Sequence, residues 1–339
     1  MKSKLSYYLV FLWGLLILNS CQDKKYFRNE GFVFGTTYHI TYAATEDLQP
    51  GMEAEMEKFN NSLSTYTPSS TISRFNRSRS EPFDLRQDPW MLKMIQESLH
   101  FSELTNGAFD ITVGPLVDLW GFGTKTKSNP TAAQIDSIRS FVSYKLLKLE
   151  DDKLLKFDPR IQLDCGAIAG GYASDIIADY LRSHGVDDFM VEIGGEVVLS
   201  GKNPEGKKWR IGINKPIDDS TSNVNEIERL LLLTDKALST SGNYRSFYVK
   251  DGKKYAHTID PQTGYPVQHS LLSATIVAND CFTADALATA CMVIGVDSSM
   301  TLIESLHRKG VEAFFIYNEG GAENKVKYTP GFESFLEKE

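Results

Sequence analysis

Hydrophobic and polar residues alternate in several parts of the chain, and a period of two predicts β-strands. Residues 32–44 alternate in this way and are rich in β-branched side chains, so they predict a strand or the start of a hairpin. A period near 3.6 instead predicts a helix over 47–63 and a second one between Asp88 and Gly107, with Gly107 past its end. The second helix has a clear start, with Asp88 as N-cap and Pro89 in the first turn.

The remaining elements come in clusters. Thr131 and Gln134 have the spacing of a capping box that opens a helix. Two short strands are predicted around a polar turn at 151–152, and a further strand leads into a helix that stops near Gly185. The second half is rich in strands, followed by helices over 280–294 and 298–309 and a closing strand. Because strands and helices do not alternate strictly, the pattern predicts an α+β fold with mixed sheets and packed helices.

Composition and charge narrow the possible functions. The chain has 339 residues, of which 42% are hydrophobic, and this length suits one large domain or two closely packed ones. Its formal net charge of −8 makes nucleic acid an unfavourable partner. A phosphorylated small molecule remains possible, because a local site can differ in sign from the whole surface.

The N-terminus has the pattern of a targeting segment. Lys2 and Lys4 precede an apolar run over 7–18, which is shorter than the roughly 20 residues of a membrane span. The run ends in "LNSC", a lipobox in which Cys21 would be lipidated and become the mature N-terminus. A plain secretory signal and a short membrane anchor are the alternatives. We expect three segments: a lipoprotein signal peptide over 1–20, a polar tether over 21–30, and a folded domain over 31–339.

This assignment of Cys21 predicts a protein held by lipid to a bacterial membrane, on its periplasmic side. The other cysteines are Cys165, Cys281 and Cys291, and none belongs to a C-x-x-C motif. All three lie in apolar surroundings, so we expect buried thiols rather than a thiolate metal site.

The stretch "DCGAIAGGYASD" over 164–175 follows a predicted strand and opens a predicted helix. Gly166 and Gly171 have the spacing of a P-loop, but Tyr172 and Ala173 stand where that motif needs lysine and a hydroxyl. Free N–H groups at a helix N-terminus can still bind an anion without a cationic side chain. Close packing of strand against helix is the alternative reason for these glycines.

Three further patterns could contribute chemistry. Asp285 and Thr289 lie one helical turn apart, and their oxygens are hard ligands suited to Mg²⁺, unless they only satisfy each other or the backbone. His257 ends a strand just before the turn headed by Asp260, and it is the best placed of six histidines for proton transfer. Turn-rich aromatic segments over 64–76 and 106–123 could enclose a flat ring, with Tyr66 stacking on it, or could cover the core.

Taken together, these stretches resemble the ApbE family of flavin transferases. The resemblance runs from about residue 32 to 317. Its motifs occur in family order and are "FGTTYHITY", "STYTPSSTISRFN", "GAFDITVGPLVDLWGFG", "LDCGAIAGGYASD", "VEIGGEVVLSG", "LSTSGNYR", "HTIDPQTGYP" and "ADALATA". It implies a T-fold-like α+β architecture, FAD as donor, Mg²⁺, and a threonine or serine of a partner protein as acceptor.

The resemblance also implies roles for individual residues. Those expected around FAD are Phe34, Tyr66, Ala108, Phe109, Asp110, Asp164 and Ile259. Those expected to hold the metal are Asp285, Thr289 and the main-chain oxygen of Ala167. His257 matches the catalytic histidine, with Asp260 as the residue that would orient it.

One position departs from the family pattern. Many members read "GAIAKG", so Gly170 stands where a lysine would lie beside the expected phosphate site.

Three functions are consistent with the predicted site. The first function is transfer of FMN to an exported domain, such as the flavinylated subunits of sodium-pumping (Nqr) or Rnf-type complexes. The others are a Mg²⁺-dependent FAD pyrophosphatase and an FAD-binding lipoprotein without turnover. The presence of His257, Asp285 and Thr289 favours a catalyst.

Overall fold

The structure is a computed structural model that describes residues 24–79, 81–123, 129–217, 226–244, 247–250 and 253–338. The predicted signal peptide and the predicted lipidation site Cys21 lie outside these residues. Among the helices in the described ranges, none has the length and apolarity needed to cross a membrane.

The described α-helices alternate irregularly with strands. The helices are α1 Gln49–Leu63, α2 Thr71–Arg77, α3 Pro89–Leu104, α4 Gly114–Trp120, α5 Ala132–Arg139, α6 Ala169–Ser183, α7 Cys281–Ile294 and α8 Val296–Leu306. The strands are β1 Lys25–Val33, β2 Thr36–Ala44, β3 Phe83–Asp84, β4 Leu147–Glu150, β5 Lys153–Lys156, β6 Phe189–Ile193, β7 Glu196–Ser200, β8 Trp209–Asn214, β9 Ile227–Leu233, β10 Lys236–Gly242, β11 Phe247–Lys250, β12 Lys253–Ala256, β13 Leu271–Ala278, β14 Glu312–Tyr317 and β15 Lys325–Tyr328.

An eight-stranded antiparallel sheet in the order β1-β2-β6-β7-β10-β13-β14-β15 organises the fold. Helices α6 and α7 pack on one face, where Ile276 of β13 enters the main core. The next residue, Val277, enters a second core on the opposite face with Trp209 of β8 and Leu231 of β9. Successive strand residues point to opposite faces, so both sides of the sheet are covered.

The predicted tether is wrong over its second half. Residues 25–30 belong to β1, whose Lys25 pairs with Ala44 of β2 and whose Phe27 ring stacks on Tyr42 at 5.5 Å. These residues look polar in sequence because β1 is an edge strand that exposes much of its side-chain surface.

The predicted helix caps and the predicted turn between two strands are confirmed. Asp88 accepts a hydrogen bond from the Met91 N–H at the start of α3, and Thr131 and Gln134 form the predicted capping box of α5. The turn between β4 and β5 lies at Asp151 and Asp152, both with positive φ. The α+β class is confirmed as well, since antiparallel sheets pack against helices throughout.

Candidate functional site

A cleft of about 1660 Å³ opens where the β1–β2 turn, the ends of β7 and β10, and the start of α6 approach one another. It collects most of the predicted site residues from distant parts of the chain. The predicted residues that line it are Phe34, Tyr66, Ala108, Phe109, Asp110, Asp164, Ala167, His257, Ile259, Asp285 and Thr289. Gly170 and Asp260 do not line it.

Phe34 reaches the cleft through an unusual backbone conformation. Its φ is 53°, in the left-handed region that aromatic residues rarely occupy, and Gly35 follows with φ 84°. Two positive φ values in a two-residue connection are typical of the tight hairpin turn that joins β1 to β2. The Phe34 ring lies 5.2 Å from that of Phe59 in α1, so this packing holds the ring in the cleft.

Asp110 shapes the segment over 106–123. Its Oδ1 accepts hydrogen bonds from the N–H and hydroxyl of Thr112 at 2.9 and 2.7 Å, and its Oδ2 accepts the Tyr144 N–H at 2.7 Å. Burial raises the pKa of Asp110, although these donors oppose the rise. The carboxylate therefore positions the cleft wall as well as lining it.

Asp164 lies on the wall next to this segment. Its N–H donates to the carbonyl of Ile111 at 2.8 Å, and its Oδ1 accepts the Gly166 N–H at 2.7 Å. Burial raises the pKa of the Asp164 carboxyl. The side chain thus shapes the turn before α6 and presents a half-buried acid to the cleft.

The Asp285 carboxylate is held from two sides. Its Oδ2 accepts the Gly171 N–H of α6, and its Oδ1 accepts the Ser239 hydroxyl of β10, each over 3.0 Å. Burial raises the pKa of Asp285, and both donors oppose the rise. These bonds fix the direction of the carboxylate without using all of its lone pairs.

A second acid attaches α7 to α6. The oxygens of Asp175 accept the N–H groups of Cys281 and Phe282, each at 2.9 Å, at the start of α7. Burial raises the pKa of Asp175 to about 7. This clamp sets the position of the helix that carries Asp285 and Thr289.

The oxygens around Asp285 suit a hard divalent cation. The Thr289 hydroxyl lies 3.4 Å from that of Ser241. The Gly171 N–H bonds to Asp285, and in the described chain no backbone N–H donates to the Ala167 carbonyl. No group of three or more His, Cys, Asp or Glu side chains in the described residues could hold a metal, so carbonyl and hydroxyl donors are needed. A carboxylate, a hydroxyl and an unused carbonyl fit Mg²⁺ with part of its water shell.

His257 follows β12 and lines the same cleft, with its ring 6.4 Å from that of Phe122. The next residue, Thr258, donates its hydroxyl to Oδ1 of Asn243 at 2.8 Å. Asp260 serves the following turn, where its Oδ1 accepts the Gln262 N–H at 2.8 Å. This bond gives Asp260 a turn-forming role, and its predicted role in orienting His257 stays a prediction.

Gly170 lies against a residue that the sequence did not single out. A Cβ atom at position 170 would lie 2.5 Å from Oε2 of Glu196, the first residue of β7. Burial and the neighbouring Asp285 charge raise the pKa of Glu196 well above its usual range. No spacing rule signals Glu196. By contrast, Ser239 and Ser241 are two apart on one strand, which puts them on one face.

Comparison with known proteins identifies the family of the chain. The model of the ApbE family matches residues 34–315. The chain belongs to the ApbE family. Among its curated relatives, the FAD:protein FMN transferase of Vibrio cholerae is 38% identical over 308 residues, covering 88% of this chain and 90% of the relative. The Haemophilus influenzae protein of the same name is 36% identical, covering 85% and 87%.

Solved ApbE structures have the same fold. The flavin transferase ApbE from Vibrio cholerae superposes with a TM-score of 0.81 at 36% identity, covering 92% of this chain and all of that one. The apo form of the Pseudomonas stutzeri flavinyl transferase ApbE gives 0.81 at 33% identity, covering 94% and 98%. The predicted family and its α+β architecture are therefore confirmed.

Proposed function

We propose that this chain transfers FMN from FAD to a threonine or serine hydroxyl of another protein, with Mg²⁺ in the oxygen site around Asp285. The predicted enzyme class is confirmed, because curated FAD:protein FMN transferases are 33–38% identical to the chain over most of its length. The observation that supports the metal is the unused carbonyl of Ala167, which lines the same cleft as the Asp285 carboxylate.

The cleft suits a flavin nucleotide in size and lining. Phe34 and the exposed ring of Tyr66 line the cleft and offer aromatic surface on which a flat heterocycle could stack. Asp285 and Thr289 lie in the same cleft, so a pyrophosphate near them would leave the ring on the aromatic side. Both kinds of surface are needed to bind FAD.

Different residues of this chain take different roles in the proposed FMN transfer. His257 accepts the proton of the acceptor hydroxyl as its oxygen attacks the FMN-side phosphorus. A new P–O bond to the acceptor forms, the pyrophosphate P–O bond breaks, and AMP leaves with the electron pair. Asp285, Thr289 and the Ala167 carbonyl would hold Mg²⁺, which neutralises charge on the phosphates when bound. The cleft walls orient the phosphorus for attack.

The location and acceptor belong to the same proposal. A lipobox ending at Cys21 supports a lipid anchor on the periplasmic side of a bacterial membrane. An acceptor there is an exported flavoprotein domain, of which Nqr and Rnf-type subunits are candidates. With water as nucleophile, the same site would hydrolyse FAD to FMN and AMP.

The test is an assay of the full-length chain with FAD, MgCl₂ and candidate acceptor domains. We expect a fluorescent acceptor band and one AMP per labelled acceptor, both abolished by EDTA. AMP without a labelled band would instead favour the pyrophosphatase. FAD binding with neither product would contradict both catalytic functions.

A further inference from the structure

We infer that Glu196 is a further cation ligand in this cleft, and that it lets the chain bind a divalent cation before FAD arrives. The inference rests on the proposed cation site at Asp285 and extends it by one residue. It depends on where the Glu196 carboxylate lies, on how β7 aligns with β10, and on the charges around it.

The first observation is the position of the Glu196 carboxylate over the start of α6. Its Oε2 would lie 2.5 Å from a Cβ at Gly170 and 3.0 Å from one at Gly194, so it occupies space that side chains there would fill. The hydroxyl of Ser174 donates to the Glu196 carbonyl at 3.2 Å and fixes the backbone. The carboxylate is therefore held at the first turn of α6, beside the cleft that it lines.

The strand register brings this carboxylate next to Asp285. Val197 pairs with Leu238, so one step further along the antiparallel ladder Glu196 faces Ser239. Residues opposite each other in a ladder point to the same face. Ser239 donates to Asp285, and a Cβ at Gly171 would lie 2.8 Å from that of Asp285. The two carboxylates thus lie over adjacent glycines of one helical turn.

The carboxylates of Glu196 and Asp285 have no cationic partner in the described chain. The ion pairs found there include neither Glu196 nor Asp285, and Arg210, which lines the cleft, pairs with Glu337 at 2.8 Å. Two neighbouring acids, one buried and one half-buried, need a counter-charge to stay ionised together. Helix N–H groups supply only partial charge, and one of them already binds Asp285. A divalent cation bound by both carboxylates supplies the missing charge.

A site with two carboxylates differs in behaviour from a site with one. Mg²⁺ is usually bound through one or two carboxylates together with substrate phosphates, and each added carboxylate reduces the share that the phosphates must supply. With Glu196 added, the protein contributes two negative charges, a hydroxyl and a carbonyl of its own. We therefore expect cation binding without nucleotide, and a side chain at position 170 that displaces or neutralises Glu196 should weaken it.

The experiment titrates the full-length chain with Mn²⁺ in the absence of FAD, using electron paramagnetic resonance to measure free ion. Mn²⁺ is a suitable probe because it shares the oxygen ligands of Mg²⁺. We expect Glu196→Gln to weaken Mn²⁺ binding about tenfold or more. Glu205→Gln is the matched control, because Glu205 is exposed and pairs only with the nearby Lys207. It should bind Mn²⁺ as the unmodified chain does.

A second variant tests the same idea without changing Glu196. Gly170→Lys places an ammonium beside the carboxylate and should weaken Mn²⁺ binding to a similar degree. Adding Glu196→Gln to it should then change the affinity less than twofold. The inference is overturned if the unmodified chain binds no Mn²⁺ without FAD, or if Glu196→Gln binds it normally. If transfer to an acceptor proceeds while Glu196→Gln binds Mn²⁺ normally, only this inference fails and the proposed function stands.

Discussion

The hydroxyl of Ser239 donates a hydrogen bond to Oδ1 of Asp285 over 3.0 Å, joining the central strand β10 to helix α7 at the candidate cation site. Ser239 is fully buried, so its hydroxyl has no competing water. The bond holds the carboxylate in one orientation, and the orientation of a ligand affects metal affinity.

Replacing Ser239 by Ala should therefore raise the Mg²⁺ concentration needed for half-maximal FMN transfer by about tenfold, because a bond to a charged group is worth about 1.5–3 kcal/mol. The maximal rate at saturating Mg²⁺ should change much less. Ser305→Ala is the control, since Ser305 is exposed and its hydroxyl donates to the Leu302 carbonyl within α8. Equal Mg²⁺ dependence in both variants would contradict a positioning role for Ser239.

His257→Ala should lower the rate of FMN transfer by about 100-fold or more, because it removes the proposed general base. FAD affinity should stay within about twofold, measured by quenching of flavin fluorescence. His100→Ala, on the exposed side of α3, should leave both quantities unchanged. Full transfer activity in His257→Ala would exclude the proton-transfer role.

Phe34→Ala should weaken FAD binding about tenfold, because an aromatic contact is worth about 0.5–1.5 kcal/mol beyond its buried area. Its neighbour Phe32 offers a matched control, since that ring is 72% exposed and lies two residues away on the same hairpin. We expect Phe32→Ala to bind FAD normally. Similar losses in both variants would indicate that the hairpin, not the Phe34 ring, determines affinity.

The three described cysteines should be unreactive in the folded protein. Burial raises the pKa of Cys165 and of Cys291 to about 12, and it raises that of Cys281 as well. Thiolate is the reactive form, so iodoacetamide should not modify them between pH 7 and 9. Mass spectrometry of a Cys21→Ala chain should show no label when native and three labels after unfolding in guanidinium. Labelling of the native chain at pH 8 would show that the core opens around one of these thiols.

Local signals in the sequence were enough to predict many of the helices, strands and turns. The caps of α3 and α5 and the turn at Asp151 depend on a few adjacent residues, so the sequence predicts them directly. The family motifs extended this to the cleft, whose predicted lining residues do come together.

Relationships across the sheet could not be predicted in this way. Glu196 meets Gly170 because of how β7 aligns with β10 and how α6 packs on them, and no pattern of nearby residues encodes that register. Gly170 was expected beside the phosphate site. A Cβ atom built at this position would point toward Glu196.

The early start of β1 has a mechanical consequence for an anchored protein. With Lys25 already paired to Ala44, only three residues lie between it and Cys21, and these four residue steps reach at most about 14 Å when fully extended. A lipid at Cys21 would hold the edge of the sheet close to the membrane surface. The domain would not be separated from its anchor by a long flexible linker. The cleft opens at the β1–β2 turn, at the other end of this nine-residue strand, so the enzyme would meet acceptors within a limited distance of the anchored sheet edge.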